Sequence, residues 1–218
     1  MASELTTTSY AILGLLAVRP WTTYELAQQM ERALHEFWPR AQSKVYEEPK
    51  RLVAAGLASA SPEAVGRRPR TVYAITVAGR RALAAWLARP GAAPVVQFEQ
   101  LVKVFFAEHG TRADLLAGLR SLAGWREQRA ALGAAICREY LEGRGPFPER
   151  LPWLILTGSF LSRFDQLVGD WAEWAASVVE GWPDDLRAAP PDWATLEAMA
   201  AQDEAHLRRA AARRAGDA

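Results

Sequence analysis

Arg67, Arg68 and Arg70 crowd the segment Gly66-Arg67-Arg68-Pro69-Arg70. A guanidinium is permanently charged and presents a planar fork of donors, the geometry that meets phosphate oxygens. Three like charges on one turn repel each other and bury nothing. Folding alone hardly explains them; contact with a polyanion is the favoured reading, a solvated turn the other. A second group lies upstream: Arg40, Lys44, Lys50 and Arg51 supply cations, and Ser43 and Tyr46 supply neutral polar or aromatic contacts. Together these nine residues are the candidate nucleic-acid contacts, with the arginine turn reaching backbone and the rest reaching backbone or base edges. Glu47 and Glu48 interrupt the second group and read as a solvated face, with acceptance from a cytosine amino group merely permitted.

Other chemistries lack their residues. His35, His109 and His206 are scattered, with no carboxylate or second histidine at ligand spacing, so no metal site is expected. Cys137 stands alone, which excludes an intramolecular disulfide and a thiolate zinc site. No phosphate-cradling glycine loop, nucleophile elbow or dinucleotide fingerprint occurs. Nothing in the chain asks for catalysis or a cofactor.

These residues need a scaffold. The chain has 218 residues, half of them hydrophobic and 23% charged, enough to bury a core in one large domain or two small ones. No uncharged apolar run reaches membrane-spanning length and no basic region precedes the first apolar stretch. The expectation is a soluble, unprocessed, cytoplasmic protein with no membrane partner. The formal net charge of +1 conceals an asymmetry. Arg89-Pro90-Gly91-Ala92-Ala93-Pro94 punctuates two apolar-periodic stretches and marks a boundary. Residues 1–90 hold 12 Lys+Arg against 7 Asp+Glu, a net of +5; residues 91–218 hold 14 against 18, a net of −4. The split reads either as chance fluctuation of surface charge or as a basic module that meets a polyanion, joined to an acidic module with other work.

Along the basic module, Thr6-Thr7-Thr8 can cap a short apolar helix ending near Arg19-Pro20, and Thr22 with Glu25 has capping-box spacing for a second helix. That helix carries Leu26, Met30, Leu34 and Phe37 on one face and stops before Pro39. A third begins around Gln42-Ser43, turns Val45, Tyr46, Leu52 and Val53 inward and closes at Gly56. Pro49 demands a bend there or a later start. Two strands follow, the second over Thr71–Thr76, joined by a loop spanning Pro62 to Pro69. A fourth helix through Leu83 and Trp86 completes the module. Three helices and a hairpin give the winged helix-turn-helix order, in which the third helix enters the major groove and the hairpin tip reaches flanking backbone or minor groove. The candidate contacts fall on those two elements.

Two runs carry a more specific signal. Tyr46-Glu47-Glu48-Pro49-Lys50-Arg51-Leu52-Val53-Ala54-Ala55-Gly56-Leu57 is one; Gly66-Arg67-Arg68-Pro69-Arg70-Thr71-Val72-Tyr73-Ala74-Ile75-Thr76-Val77-Ala78-Gly79 is the other. With Ser9-Tyr10-Ala11-Ile12-Leu13-Gly14-Leu15-Leu16 and Tyr24-Glu25-Leu26, they resemble the PadR family of transcriptional regulators over about residues 5–90. The C-terminal part, with Val104-Phe105-Phe106-Ala107, is similar to the long helical tail of the larger subgroup. The resemblance implies a homodimeric, ligand-responsive repressor without catalysis, its dimer built by the first helix and the C-terminal helices. Glu47 and Glu48 depart from a uniformly basic recognition helix.

In the acidic module, apolar residues recur at helical spacing from Phe98 to Phe106. A second run extends from Leu115 to Ile136, with Thr111 and Asp114 at its start. Within residues 151–182, Phe160, Phe164, Leu167, Trp171, Trp174 and Val178 alternate spacings of four and three, a heptad-like stripe on a helix of about 45 Å. Intramolecular core is one reading of the stripe. A two-fold interface with a partner chain is the other, and the length of the helix favours it. Six of the nine tryptophans lie in this half. Packing accounts for them; alternatively Trp125, Trp171 and Trp174 line a pocket for a small aromatic or cationic effector, with Asp170 and Glu173 nearby.

The expected architecture is mainly α with a small β-hairpin wing. It comprises a winged helix-turn-helix DNA-binding domain (1–90), a helical dimerisation and effector domain (91–189), and a C-terminal helix with a frayed tail (190–218). The expected function is sequence-specific binding of double-stranded DNA as a homodimer on a pseudo-palindromic operator, with effector-dependent repression. Its rivals are a non-specific architectural DNA binder and a helical protein-interaction module.

Overall fold

The computed structural model describes residues 5–39, 45–65 and 68–216, and the chain divides into two compact units, Met1–Val95 and Val96–Ala218. Helices dominate both units, and one small sheet lies in the first.

The first helix, α1 (Thr7–Val18), buries Ile12, Leu13 and Leu16 almost completely, along with Ser9 and Leu15. It is apolar on most sides because other elements cover most sides of it. Thr6 caps it: its hydroxyl accepts from the Ser9 N–H, and the Ser9 hydroxyl accepts from the Thr6 N–H. A two-residue strand, β1 (Trp21–Thr22), leads into α2 (Thr23–Leu34), which faces Leu26 and Met30 inward. The capping box at Thr22 and Glu25 forms as the spacing predicts. Thr22 N–H donates to the Glu25 carboxylate at 2.8 Å and Glu25 N–H donates to the Thr22 hydroxyl at 3.3 Å. Trp21 is 2% exposed, with its Nε1 donating to the Leu15 carbonyl at 2.7 Å and the Arg19 guanidinium stacked on its ring.

The third helix, α3 (Glu48–Ala54), starts later than Ser43, and Pro49 lies in its first turn, where a missing N–H costs nothing. Gly56, at φ +71°, ends it: Gly56 N–H reaches the Val53 carbonyl and Leu57 N–H the Leu52 carbonyl, both at 2.9 Å. The wing is longer than expected. Its strands, β2 (Ala58–Val65) and β3 (Arg68–Ile75), pair in register from Ala58↔Ile75 to Val65↔Arg68, so the stretch from Pro62 to Pro69 is mostly strand, not loop. Both prolines are tolerated because β2 is an edge strand and β1 covers β3 only at Val72 and Tyr73. No local pattern announces β1, since two residues carry no periodicity. Thr76 caps α4 (Val77–Leu87), accepting from Gly79 N–H at 3.0 Å while donating to the Gly56 carbonyl at 2.8 Å.

In the second unit, α5 (Glu99–Phe105) precedes two thirty-residue helices, α6 (Arg112–Leu141) and α7 (Leu151–Glu180), and a last helix, α8 (Trp193–Gly216). Thr111 and Asp114 cap α6 as their spacing predicts. The two long helices run antiparallel: Arg120 near the start of α6 pairs with Glu180 at the end of α7, and Arg129 pairs with Asp165 at 3.1 Å farther along. Leu115 and Leu119 of α6 pack on Ala175, Ala176 and Val179 of α7, with Leu186 closing the cluster. The arginine- and alanine-rich end does not fray where its composition suggests. It continues α8 to Gly216, because alanine is the strongest helix former and Arg213 and Arg214 complement the negative end of the helix dipole.

Candidate nucleic-acid interface

Of the nine candidate contacts, Lys50 and Arg51 lie on α3, Tyr46 just ahead of it, and Arg68 and Arg70 on β3. Tyr46 is 58% exposed just ahead of α3, and Lys50 projects from it, paired with Glu47 at 3.1 Å. Arg70 is exposed on β3. The backbone of Arg68 lies in β3 rather than on a turn, and its side chain is outside the described residues, as are Arg40, Ser43, Lys44 and Arg67 altogether. Tyr46, Lys50, Arg51 and Arg70 are each exposed within one small unit, in which α1 and β2 pack against α3.

Glu48 overturns its expected place on a solvated face. It is 1% exposed, and its Oε1 accepts from the Ser9 hydroxyl at 2.5 Å while Oε2 accepts from Arg51 Nη1 at 2.8 Å. A buried carboxylate is tolerable only when paired and hydrogen-bonded, and this one is both. The spacing held a signal: Val45, Glu48 and Leu52, three and four apart, share the buried side of this segment with Pro49. A charged residue in an apolar stripe points inward when it brings its own partner. Val45 is inward as expected; Tyr46 is not, since the helix begins only at Glu48.

Residues 12–85 match the model of the transcriptional regulator PadR-like family. The N-terminal unit is thus similar to this family. The negative transcriptional regulator PadR of Bacillus subtilis (strain 168) is 30% identical over 99 residues, 44% of this chain and 54% of that relative, so the match spans about half of the relative's length. The crystal structure of Bacillus subtilis PadR in complex with operator DNA superposes with a TM-score of 0.67 at 21% identity, covering 80% of this chain and 99% of that one. Its complex with p-coumaric acid gives 0.64 at 22% identity, with coverage of 80% and 99%. These structures establish the fold: a winged helix-turn-helix followed by long helices. PadR-like proteins are transcriptional regulators and not enzymes.

In the C-terminal unit, most of the α7 stripe lies beside the face that packs on α6, and Trp171 alone of the stripe packs against that core. The residues of α7 buried in the chain are Val168, Gly169, Ala172, Ala175, Ala176 and Val179. Phe160 is 61% exposed, Leu167 64% and Trp174 47%, while Phe164, Trp171 and Val178 are half-buried. Small residues take the intramolecular face because they let α6 approach closely, with the Arg126 side chain lying over Gly169. Trp153, Ile155 and Leu156 at the start of α7, and Trp193, Leu196, Met199 and Leu207 of α8, are exposed as well.

Trp125, Trp171 and Trp174, the candidate effector-pocket tryptophans, do not line the open cavity between α5 and α6. Trp125 is half-buried, Trp171 meets the Phe98 ring edge-on at 6.0 Å between centroids, and Trp174 is half-exposed. Asp170 and Glu173 instead flank Arg126 at 3.5 and 3.8 Å. An open cavity of about 530 Å³ lies between α5 and α6, lined by Gln100, Lys103, Phe106, Thr111, Asp114 and Leu115 among others. Among the described residues no cluster of His, Cys, Asp and Glu could hold a metal ion, and no helix is long and apolar enough to cross a membrane.

Proposed function

We propose that this chain is a ligand-responsive repressor that binds a pseudo-palindromic operator as a homodimer, with α7 forming the two-fold seam. The observation that carries the reading is the displaced stripe: Phe160, Leu167 and Trp174 stay exposed on a helix about 45 Å long whose other face is already packed. Contiguous apolar surface of this extent marks an association surface on a water-soluble unit. A stripe at heptad spacing suits a second copy of the same helix.

The DNA side of the proposal assigns Arg40, Ser43, Lys44, Tyr46, Lys50 and Arg51 to groove and backbone contacts around α3, and Arg67, Arg68 and Arg70 to the wing. One winged unit covers only about 600–1,000 Å² of DNA surface, so a second half-site supplied by two-fold pairing raises both affinity and specificity. Bacillus subtilis PadR, named a negative regulator and crystallised with operator DNA and with p-coumaric acid, supports repression and an aromatic effector. Trp125, Trp171 and Trp174 are the proposed effector contacts, completed across the seam. Effector control requires only that the ligand bind one dimer geometry better than another.

The test is fluorescence anisotropy on duplexes selected from random sequence by the full chain, titrated in salt against scrambled duplex, with mass measured by light scattering. The reading expects a dimer that prefers its selected site by ~10³ or more. A monomer, or equal affinity for both duplexes, overturns it.

A further inference from the structure

Resting on the DNA-binding reading above, we propose that buried Glu48, held by Ser9 of α1, is a positioning residue that presents the Arg51 guanidinium to DNA and so sets what the recognition helix can read.

The hydrogen-bond directions are determined by what each group can donate. Glu48 as a carboxylate only accepts, so the single Ser9 hydroxyl proton goes to its Oε1 at 2.5 Å. The Ser9 oxygen then accepts twice, from Thr6 N–H at 2.9 Å and from the Thr6 hydroxyl at 3.1 Å. That hydroxyl is therefore oriented by the cap of α1, and Glu48 in turn is anchored to the most deeply buried helix of the unit. The second carboxylate oxygen accepts from Arg51 Nη1 at 2.8 Å. The Glu48 side chain is 2% exposed and that of Arg51 41%, so the pair spans the boundary from core to surface. The Glu48 end of the pair is buried, and the Arg51 side chain extends from it to partial exposure.

A free arginine loses rotamer freedom when it meets DNA, and one already tethered loses less. A guanidinium has five donors, so the bond to Glu48 is compatible with others to a phosphate or a guanine edge. The chain thereby converts a carboxylate, which on the helix surface would repel DNA, into a clamp on the cation that meets it. Lys50 differs, since its partner Glu47 is itself exposed and salt-screened.

The test is a double-mutant cycle on the full chain with Glu48→Gln, Arg51→Ala and the combination. Anisotropy is read with the duplex selected by the wild-type chain, and each variant is melted to verify folding. Glutamine keeps the shape and can still accept from Ser9, but it loses the charge that holds Arg51. The expected result is a roughly two- to tenfold loss of affinity for Glu48→Gln, the size of one ordered side chain. That loss disappears when Arg51 is already alanine. A purely structural role predicts the same loss with and without Arg51, and that additivity overturns the proposal. No loss for Glu48→Gln overturns it too. If Glu48→Gln does not fold, Ser9→Ala enters the same cycle with the same expectation. A wild-type chain that selects no duplex sinks both this inference and the DNA reading; tight wild-type binding with an additive cycle sinks this one alone.

Discussion

Trp174→Ala tests the proposed seam where its size can be worked out. The indole is 47% exposed in the single chain, while Ala175 and Ala176 beside it face α6. A tryptophan buries about 150–250 Å², so covering that exposed half in a dimer removes about 70–120 Å² from water on each protomer. At about 25 cal/mol per Å² this is about 2–3 kcal/mol per protomer, and a two-fold seam counts it twice. Area overstates association energy, because ordering of side chains and incomplete contact oppose it, so about half of the doubled figure, 2–3 kcal/mol, is the working magnitude. The dimer dissociation constant should rise by roughly 30- to 150-fold. Sedimentation equilibrium over a wide concentration range measures it directly. Thermal melting at a concentration where the wild type is monomeric should show little change, since the packing of α6 on α7 is made by other residues. A dissociation constant within threefold of wild type refutes the reasoning, as does a monomeric wild type at the concentrations where it binds DNA.

Three further outcomes are expected. Gly79→Ala would place a Cβ 2.1 Å from the Leu57 carbonyl oxygen and 2.8 Å from the Ile75 side chain, so it should cost about 1–3 kcal/mol, read as a lower melting temperature of the N-terminal unit. Replacing Arg67, Arg68 and Arg70 together with alanine should lower DNA affinity and flatten its salt dependence by about 0.9 in log–log slope for each phosphate no longer neutralised; an unchanged slope removes the wing from the interface. The Thr22 backbone N–H bond, more than the Arg19 ion pair, holds the Glu25 carboxyl below the usual carboxylate range. Its stabilisation is therefore complete above the unfolded value and lost as pH falls through the lowered folded one, and Glu25→Gln should flatten that acid limb in a pH series of melts.

Where a residue acts on its own neighbours in sequence, the sequence is readable. Thr22 with Glu25, Thr111 with Asp114 and Gly56 after α3 act over three or four residues, and each stands where its spacing puts it. The wing's strands exceed their sequence signal because Pro62 and Pro69 look like loop residues until sheet order shows that both lie on free edges. The two-residue strand β1 exists only through pairing with Val72 and Tyr73, a contact across about fifty positions that no local pattern records. Glu48 misleads for the same reason: its partner Ser9 is 39 residues away, and a carboxylate beside lysine and arginine reads as solvent-facing without it. The heptad stripe is legible as a stripe. That small residues rather than most of the stripe pack on α6 is not, because periodicity gives a face and does not name its partner.

Burial of Glu48 also bears on why the proposed function calls on both units. With Glu48 inside and bonded to Arg51, and Lys50 paired with Glu47, the described part of α3 offers little unopposed positive charge to DNA. Affinity for a polyanion scales with the number of phosphates neutralised, so under the proposed reading a helix charged this weakly depends on the wing and on a second copy of itself. Doubling the half-sites doubles the electrostatic contribution without adding a charge to either helix. It also makes binding conditional on the distance between the two copies of α3. A unit that bound DNA tightly alone would be indifferent to that distance and hence to any ligand that changed it. On the proposed reading, the restrained charge of α3 is thus what gives a seam in α7, built from Phe160, Leu167 and Trp174, leverage over DNA binding.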